Sequence, residues 1–391
     1  MKIIKGLSRI VVFVLLSALL LCELGTVAPQ IPVVGSMGNF ITMPYAHIVI
    51  PITAGLFLLC TILCFVKKKK VFVALCDILL LASLAIGICT TAIAVRDVNK
   101  QGSDVNVWKT FSKEDVSGVE TDTQTYFTSE YGELTLNVYY KKVLFEDGAK
   151  GLPVILYTHG GGWMQGSKKD HEYDSKLYAE NNYVAVSVDY DLSKKDRHLA
   201  GTTERQILEA IAWVKKNIAG YGGDPESLYL TGDSAGGNLA LNVSYKINAG
   251  IHTEAGGVTL PKIKAVAVTY PVADPVLFYN NKDVIVGKAS NQMATYYTGG
   301  SPEGKKEAYD SITPKNFLSS STPPTLVIIG KADVQVPLSA TEAFVNALQQ
   351  NGTETNLVTV PFCNHAFDSV PGAFGDQVVL HQTLRWFEAH R

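Results

Sequence analysis

Apolar residues are arranged in two ways along this chain, and the change falls near residue 100. Before it, nearly continuous apolar runs occupy residues 10–24, 46–66 and 71–95. The second and third are long enough for a helix to cross a hydrocarbon core of about 30 Å, so the pattern predicts three transmembrane helices. After residue 100, short apolar runs alternate with amphipathic stretches. Val154–Thr158, Val184–Val188, Ser227–Thr231, Ala265–Val268, Thr325–Ile329 and Asn356–Val360 read as strands, and Leu134–Tyr140 alternates at period two like an edge or early antiparallel strand. Ile207, Leu208, Ile211, Val214 and Ile218 mark one face of a helix, with Glu204, Lys215 and Lys216 off it. Ala343, Phe344, Ala347 and Leu348 mark another, ended near Asn351-Gly352. This alternation predicts an α/β fold, a mostly parallel sheet with helices on both faces. The expected organisation is a membrane anchor over 1–99, a linker or cap over 100–129 and a globular domain over 130–391.

Charge divides at the same boundary. Residues 1–99 hold eight basic and three acidic residues, and the remainder 26 and 33, giving +5 and −7. The acidic part argues against a nucleic-acid partner. Lys2, Lys5 and Arg9 precede the first run, Lys67–Lys70 separates the second from the third, and Gly25–Tyr45 carries no charge. Basic residues mark cytoplasmic loops, which places the N-terminus and the lysine loop inside and everything after Val95 on the extracytoplasmic side of a multi-pass membrane protein. A cleaved signal peptide is the alternative reading of the first run. Thr26-Val27-Ala28 followed by Pro29 is a poor cleavage site, and cleavage would leave the globular domain outside as well. Asp77, one turn inside the third run, reads as an interface-proximal carboxylate. Five of the six cysteines lie in the apolar runs, so Cys363 has no disulfide partner in its own domain.

Two short motifs carry the candidate chemistry. Gly232-Asp233-Ser234-Ala235-Gly236-Gly237 follows a strand and precedes the helix-like Asn238–Val243, the context that a nucleophilic serine on a tight strand-to-helix turn requires. Glycines two residues either side of Ser234 remove side chains that would collide there. His159-Gly160-Gly161-Gly162-Trp163 follows another strand, and its glycines let backbone amides approach a substrate oxygen. Gly160, Gly161 and Ala235 are therefore the expected oxyanion donors. A serine nucleophile needs a base and an orienting carboxylate. Of the histidines after Ser234, His252 lies in a glycine-rich loop and His381 and His390 on a terminal amphipathic stretch. His365 lies in the loop Pro361-Phe362-Cys363-Asn364 that follows the strand Asn356–Val360, and is chosen. Asp333, just past the strand Thr325–Ile329, is preferred to Asp310 and Asp368 because functional groups gather at strand ends in open α/β sheets. Cys363 is a conceivable thiol nucleophile with nothing to activate it, and reads as a buried loop cysteine. Asn242-Val243-Ser244 and Asn351-Gly352-Thr353 match the glycosylation pattern, but Asn242 falls on the helix behind the nucleophile.

From Gly222 to Ala240 the sequence resembles the hormone-sensitive-lipase-like branch of the α/β-hydrolase superfamily. His159–Trp163, Val188-Asp189-Tyr190, Tyr270-Pro271 and the Asp333 and His365 loops match it in order. The resemblance covers about residues 130–391. It implies a carboxylesterase acting on short-chain acyl or acetyl esters, with Ser234 as nucleophile, His365 as base, Asp333 as its partner, and no metal or cofactor. One departure is Asp191-Leu192-Ser193-Lys194-Lys195, where the family has an Arg-Leu-Ala-Pro-like run; this bears on local packing and substrate shape. Trp163 is a candidate wall of the acyl pocket. Tyr296 and Tyr297, in the cap-like segment between Pro271 and Phe317, are candidate substrate contacts. The expected partners are an ester substrate and the lipid bilayer. The competing readings are a serine peptidase of the same fold, for which the chain lacks the usual large companion domain, and a non-catalytic binding protein on a hydrolase scaffold.

Overall fold

A computed structural model of the chain describes residues 2–66, 70–141 and 151–391. The chain divides into two compact units. One comprises Met1–Lys113, Gly330–Val334 and Val360–Val378; the other comprises Glu114–Ile329, Gln335–Thr359 and Val379–Arg391.

In the first unit the three apolar runs become helices α1 (Lys2–Val27), α3 (Ala46–Val66) and α4 (Lys70–Lys100). Each is long and apolar enough to cross a membrane, with windows of mean hydropathy 2.5, 2.6 and 2.6. At 31 residues, α4 is about 46 Å long and outruns a hydrocarbon core of about 30 Å. Lys67–Lys69 of the basic loop, and the side chains of Lys2, Lys5 and Arg9, lie outside the described residues. The charge-free connection after α1, in which no element was expected, contains helix α2 (Val34–Ile41) folded back on α1. A Cβ at Gly25 would fall on the Val34 carbonyl, and one at Gly38 on the Cys22 carbonyl. Small residues of this kind let helix backbones touch where lipid supplies no hydrophobic drive. Thr26 and Thr42 hydroxyls share a hydrogen bond of 2.5 Å, and Asn39 Nδ2 donates to the Gly35 and Gly25 carbonyls at 2.8 and 3.3 Å. Asp77 joins α4 to α3 by accepting from Thr61 Oγ1 at 3.1 Å through each carboxylate oxygen.

The second unit is built on a sheet that has eight strands among the described residues. Its strands are β1 (Val119–Ser129), β2 (Gly132–Lys141), β3 (Leu152–Thr158), β4 (Val184–Val188), β5 (Gly223–Asp233), β8 (Ile263–Thr269), β9 (Thr325–Gly330) and β10 (Thr355–Val360), in the order β1-β2-β4-β3-β5-β8-β9-β10. Two-residue strands β6 (Glu254–Ala255) and β7 (Val258–Thr259) form a separate ribbon. The pairs from β4 through β3, β5 and β8 to β9 are parallel, and β1 and β2 attach antiparallel at one edge. Every residue of β4 and β9 is buried, as strands covered on both faces require. Residues 119–129, expected as linker or cap, are instead the outermost strand. Its exposed positions carry Glu120, Thr121, Thr123, Thr125 and Thr128, which masked the period-two pattern.

Helices α5 (Glu172–Glu180), α6 (Thr202–Asn217) and α7 (Ser234–Asn248) follow β3, β4 and β5. Between β8 and β9 lie α8 (Pro275–Tyr279), α9 (Gly287–Thr298) and α10 (Lys306–Ser311), which make up the cap-like segment; α11 (Leu338–Gln350) and α12 (Phe374–Glu388) complete the chain. Helices α6 and α7 are locked by a buried ion pair. Lys246 Nζ donates to both Glu204 oxygens at 2.9 and 2.7 Å, and His252 Nε2 lies 2.8 Å from Glu204 Oε1. Removing one partner strands the other charge in the interior. Glu204→Ala is therefore expected to destabilise the fold by about 3–5 kcal/mol. The paired Glu204→Met, Lys246→Met variant should recover most of that in thermal denaturation.

Candidate active site

Ser234 lies where β5 ends and α7 begins, with φ of +51°, a conformation an L residue adopts only when its surroundings hold it there. The turn is pressed against the end of β3. A Cβ at Gly232 would stand 2.7 Å from the Thr158 carbonyl oxygen, and one at Gly236 would fall on the carbonyl oxygens of Thr158 and His159. The glycines around Ser234 thus clear the neighbouring strand's backbone. Thr158 Oγ1 donates to the Gly236 carbonyl at 2.8 Å, fastening the turn to β3.

The glycine-rich loop begins at that contact. Gly161, Gly162 and Trp163 have φ of +93°, +60° and +58°. His159 is buried and stacked on Tyr190 with ring centroids 4.1 Å apart; its Nδ1 lies 2.9 Å from the Gly160 carbonyl, and burial holds its pKa below the usual histidine range. Tyr190 donates its hydroxyl to the His159 carbonyl at 2.8 Å.

Asp233, the residue before the nucleophile, accepts at Oδ1 from the Gly160 amide at 3.0 Å and from the Tyr157 hydroxyl at 2.6 Å. Burial, then the Asp233 charge, push the Tyr157 pKa well up and keep it a donor. Gly160, expected as an oxyanion donor, thus has its N–H bound to Asp233 Oδ1. The sequence placed a carboxylate beside Ser234 but showed nothing of partners more than seventy positions away.

Asp333 and His365 belong to the first unit. Their loops run together: Lys331 N–H donates to the Val360 carbonyl and Ala332 N–H to the Cys363 carbonyl, each at 2.9 Å. A Cβ at Gly330 would fall on that same Cys363 carbonyl. His365 Nδ1 is 2.9 Å from Asp333 Oδ2, both side chains being buried. The bond fixes the ring proton on Nδ1 and makes Nε2 the basic nitrogen. Asn364, unnoticed in the sequence, holds the pair in place: its Oδ1 accepts from the amides of Val334 at 3.0 Å and His365 at 2.8 Å. Cys363 is buried, and burial pushes its thiol pKa far up, away from the reactive thiolate.

The expected substrate contacts fare differently. Trp163 and Tyr297 are fully buried and stacked at 4.4 Å with an interplanar angle of 1°, and the Tyr297 hydroxyl is 2.6 Å from Thr203 Oγ1. Both are packed in the interior, and Trp163 is in the left-handed conformation. Tyr296 is partly exposed; its hydroxyl accepts from Gln292 Nε2 at 2.9 Å. Asp191, the departure from the family pattern, is buried in a two-way bond with Gln206: its N–H donates to Gln206 Oε1 at 3.0 Å, and Gln206 Nε2 donates to Asp191 Oδ2 at 2.6 Å. Asn242 is buried, with Nδ2 donating to the Asn238 and Ile312 carbonyls, so its glycosylation match is fortuitous.

A mostly parallel sheet carrying a strained serine turn beside a glycine-rich loop defines the α/β-hydrolase fold. Residues 136–348, more than half of the chain, match the BD-FAE family, and the chain belongs to that family. It is similar to Esterase LipQ of Mycobacterium tuberculosis, 29% identical over 218 residues that span 55% of this chain and 50% of that protein. It is also similar to Carboxylesterase NlhH of the same species, 36% identical over 109 residues, 28% of this chain and 32% of that one. The chain spans half or less of the length of these relatives. Among solved structures it resembles Esterase B from Lactobacillus rhamnosis, with a TM-score of 0.58 and 22% identity over 77% of this chain and 96% of that one. Carboxyl esterase 2 from Tuber melanosporum gives a TM-score of 0.56 and 22% identity over 77% and 98%. These structural likenesses extend the fold to the full globular part.

The contact at Gly236 is expected to tolerate no side chain. Gly236→Ala should lower the thermal midpoint by an amount equivalent to about 1–3 kcal/mol, whereas Gly220→Ala, with nothing within 4 Å of the added Cβ, should leave it nearly unchanged.

Proposed function

We propose that the chain is a membrane-anchored serine carboxylesterase. The observation that carries the reading is Ser234 at φ +51° on a strand-to-helix turn packed against a glycine-rich loop. The esterase names of its relatives support it. Ser234 is the nucleophile. His365 Nε2 takes its proton as the hydroxyl attacks the ester carbonyl, and Asp333 Oδ2 holds the ring and balances the imidazolium charge. The amides of Gly161 and of Ala235, at the N-terminus of α7, receive the oxyanion. His365 then protonates the leaving alcohol, and water releases the acyl group by the reverse route. The basic residues that precede the first apolar run and separate the second and third support a catalytic domain on the extracytoplasmic side.

Full-length chain in detergent should hydrolyse p-nitrophenyl acetate and butyrate. Ser234→Ala should reduce turnover at least about 10³-fold and abolish labelling by a fluorophosphonate. Equal activity in the two proteins would remove Ser234 from the mechanism, and labelled protein inactive on every ester but active on peptides would favour the peptidase.

Asp233 acts through Gly160 as a positioning residue. Asp233→Ala should lower kcat about 10²-fold with little change in KM, and Asp233→Asn, which retains an acceptor at Oδ1, should restore most of the loss. A purely structural role would lower thermal stability equally in both variants and leave the kcat of the folded fraction intact.

A further inference from the structure

The first unit contains a cavity of about 560 Å³ that the esterase reading does not use. This lies within the range of ligand pockets, about 300–1,000 Å³. Its walls come from the ends of α3 and α4 remote from the lysine loop. Ile88, Thr91, Ala92 and Val95 of α4 face it at helical spacing, opposite Ala46, His47 and Ile50 at the start of α3. A single-turn 3-10 helix, Val107–Phe111, covers its outer end. Trp108 and Phe111 of that turn are 75% and 61% exposed, an unusual surface for water but the ordinary one for the headgroup level of a bilayer. The lining is almost wholly apolar, and its cation is Arg96, one turn above Ala92. Arg96 is exposed, and among the described residues no carboxylate pairs with it, whereas the adjacent Asp97 pairs with Lys331 at 3.4 Å.

We propose that this cavity binds one acyl chain of an anionic phospholipid, with Arg96 meeting the phosphate. The walls are the membrane-spanning helices themselves, so the medium that reaches the cavity is lipid. An apolar channel topped by an unpaired guanidinium and flanked by interfacial aromatics matches the three zones of a phospholipid: acyl tail, phosphate and headgroup boundary. The site also adjoins the machinery of the second half of the chain. Phe374, which closes part of the wall, and His365 lie on the same segment, Val360–Val378. Asn106, which caps the 3-10 turn, donates its N–H to Gln377 Oε1 at 2.9 Å.

The test uses full-length Ser234→Ala chain in nanodiscs, so that turnover of the probe cannot enter the result and the proposal stands apart from the esterase reading. The probes are phosphatidylglycerol and diacylglycerol carrying the same diazirine-labelled acyl chain. Photolabel from phosphatidylglycerol should concentrate on peptides holding residues 43–51, 88–96 and 107–111. Ala92→Trp, which fills the cavity, should remove that label, and Leu58→Trp, on an outward position of α3, should not. Arg96→Gln should weaken phosphatidylglycerol labelling about tenfold, the weight of one charge-assisted hydrogen bond, and leave diacylglycerol labelling unchanged. Label spread along α3 and α4 in proportion to their exposure, or unaffected by Ala92→Trp, overturns the site. Arg96→Gln labelling equal to that of the parent overturns the phosphate contact and with it the phospholipid.

Discussion

The globular half of this chain rests on a backbone-to-backbone contact with no space in it. Where β5 turns into α7, the main chain lies against the end of β3 so closely that only glycine fits at positions 232 and 236. The contact forces Ser234 into the left-handed region and brings Asp233 beside the glycine-rich loop. From it follow the place of Ser234 on a strand-to-helix corner, the bridge from Asp233 to Gly160 and Tyr157, and the packing of α7 behind the sheet. Loosening this contact would disturb the corner and the loop together, because the hydrogen bonds from Asp233 to Gly160 and from Thr158 to Gly236 are made across it.

Much of this was legible in the sequence, and for stated reasons. The inner strands were found because strands buried on both faces are short unbroken apolar runs; Val184–Val188 coincides with β4 residue for residue. Ser234 and the glycines around it were legible because the turn's steric demand is written in residue types. Three kinds of feature were not. Strand β1 was missed because its solvent side carries Glu and Thr with no regular apolar partner position. Helix α2 was missed because eight residues rich in Gly, Ser and Asn are too few to read as a helix; it lies in backbone contact with α1. The tie from Asp233 to Gly160, and the interior stack of Trp163 on Tyr297, join residues far apart in sequence. Residue type says only that an aspartate or an aromatic could serve a substrate, and the long-range partner decides whether it does.

Polar groups in both units are handled by the same rule. In the second unit, Glu204 and Lys246 are buried together, and Asp191 is buried with Gln206. Among the apolar helices of the first, Thr26 meets Thr42, Asn39 meets backbone carbonyls, and Asp77 meets Thr61. Each is a local pairing that answers a desolvated donor or acceptor. None is visible as periodicity, which explains why hydropathy found the spans yet gave no view of how they pack.

The first unit is assembled from segments far apart in the chain, and this bears on the order in which the protein can be made. Its helices leave the ribosome first. Gly330–Val334 and Val360–Val378, with Asp333 and His365, emerge only after the whole inner sheet has been synthesised. The unit therefore waits, with the outer ends of α3 and α4 uncovered, for contacts separated by more than two hundred residues, the kind that close slowly. Synthesis of this unit is thus a sequence in which its N-terminal helices form first and the loops that carry Asp333 and His365 join them last.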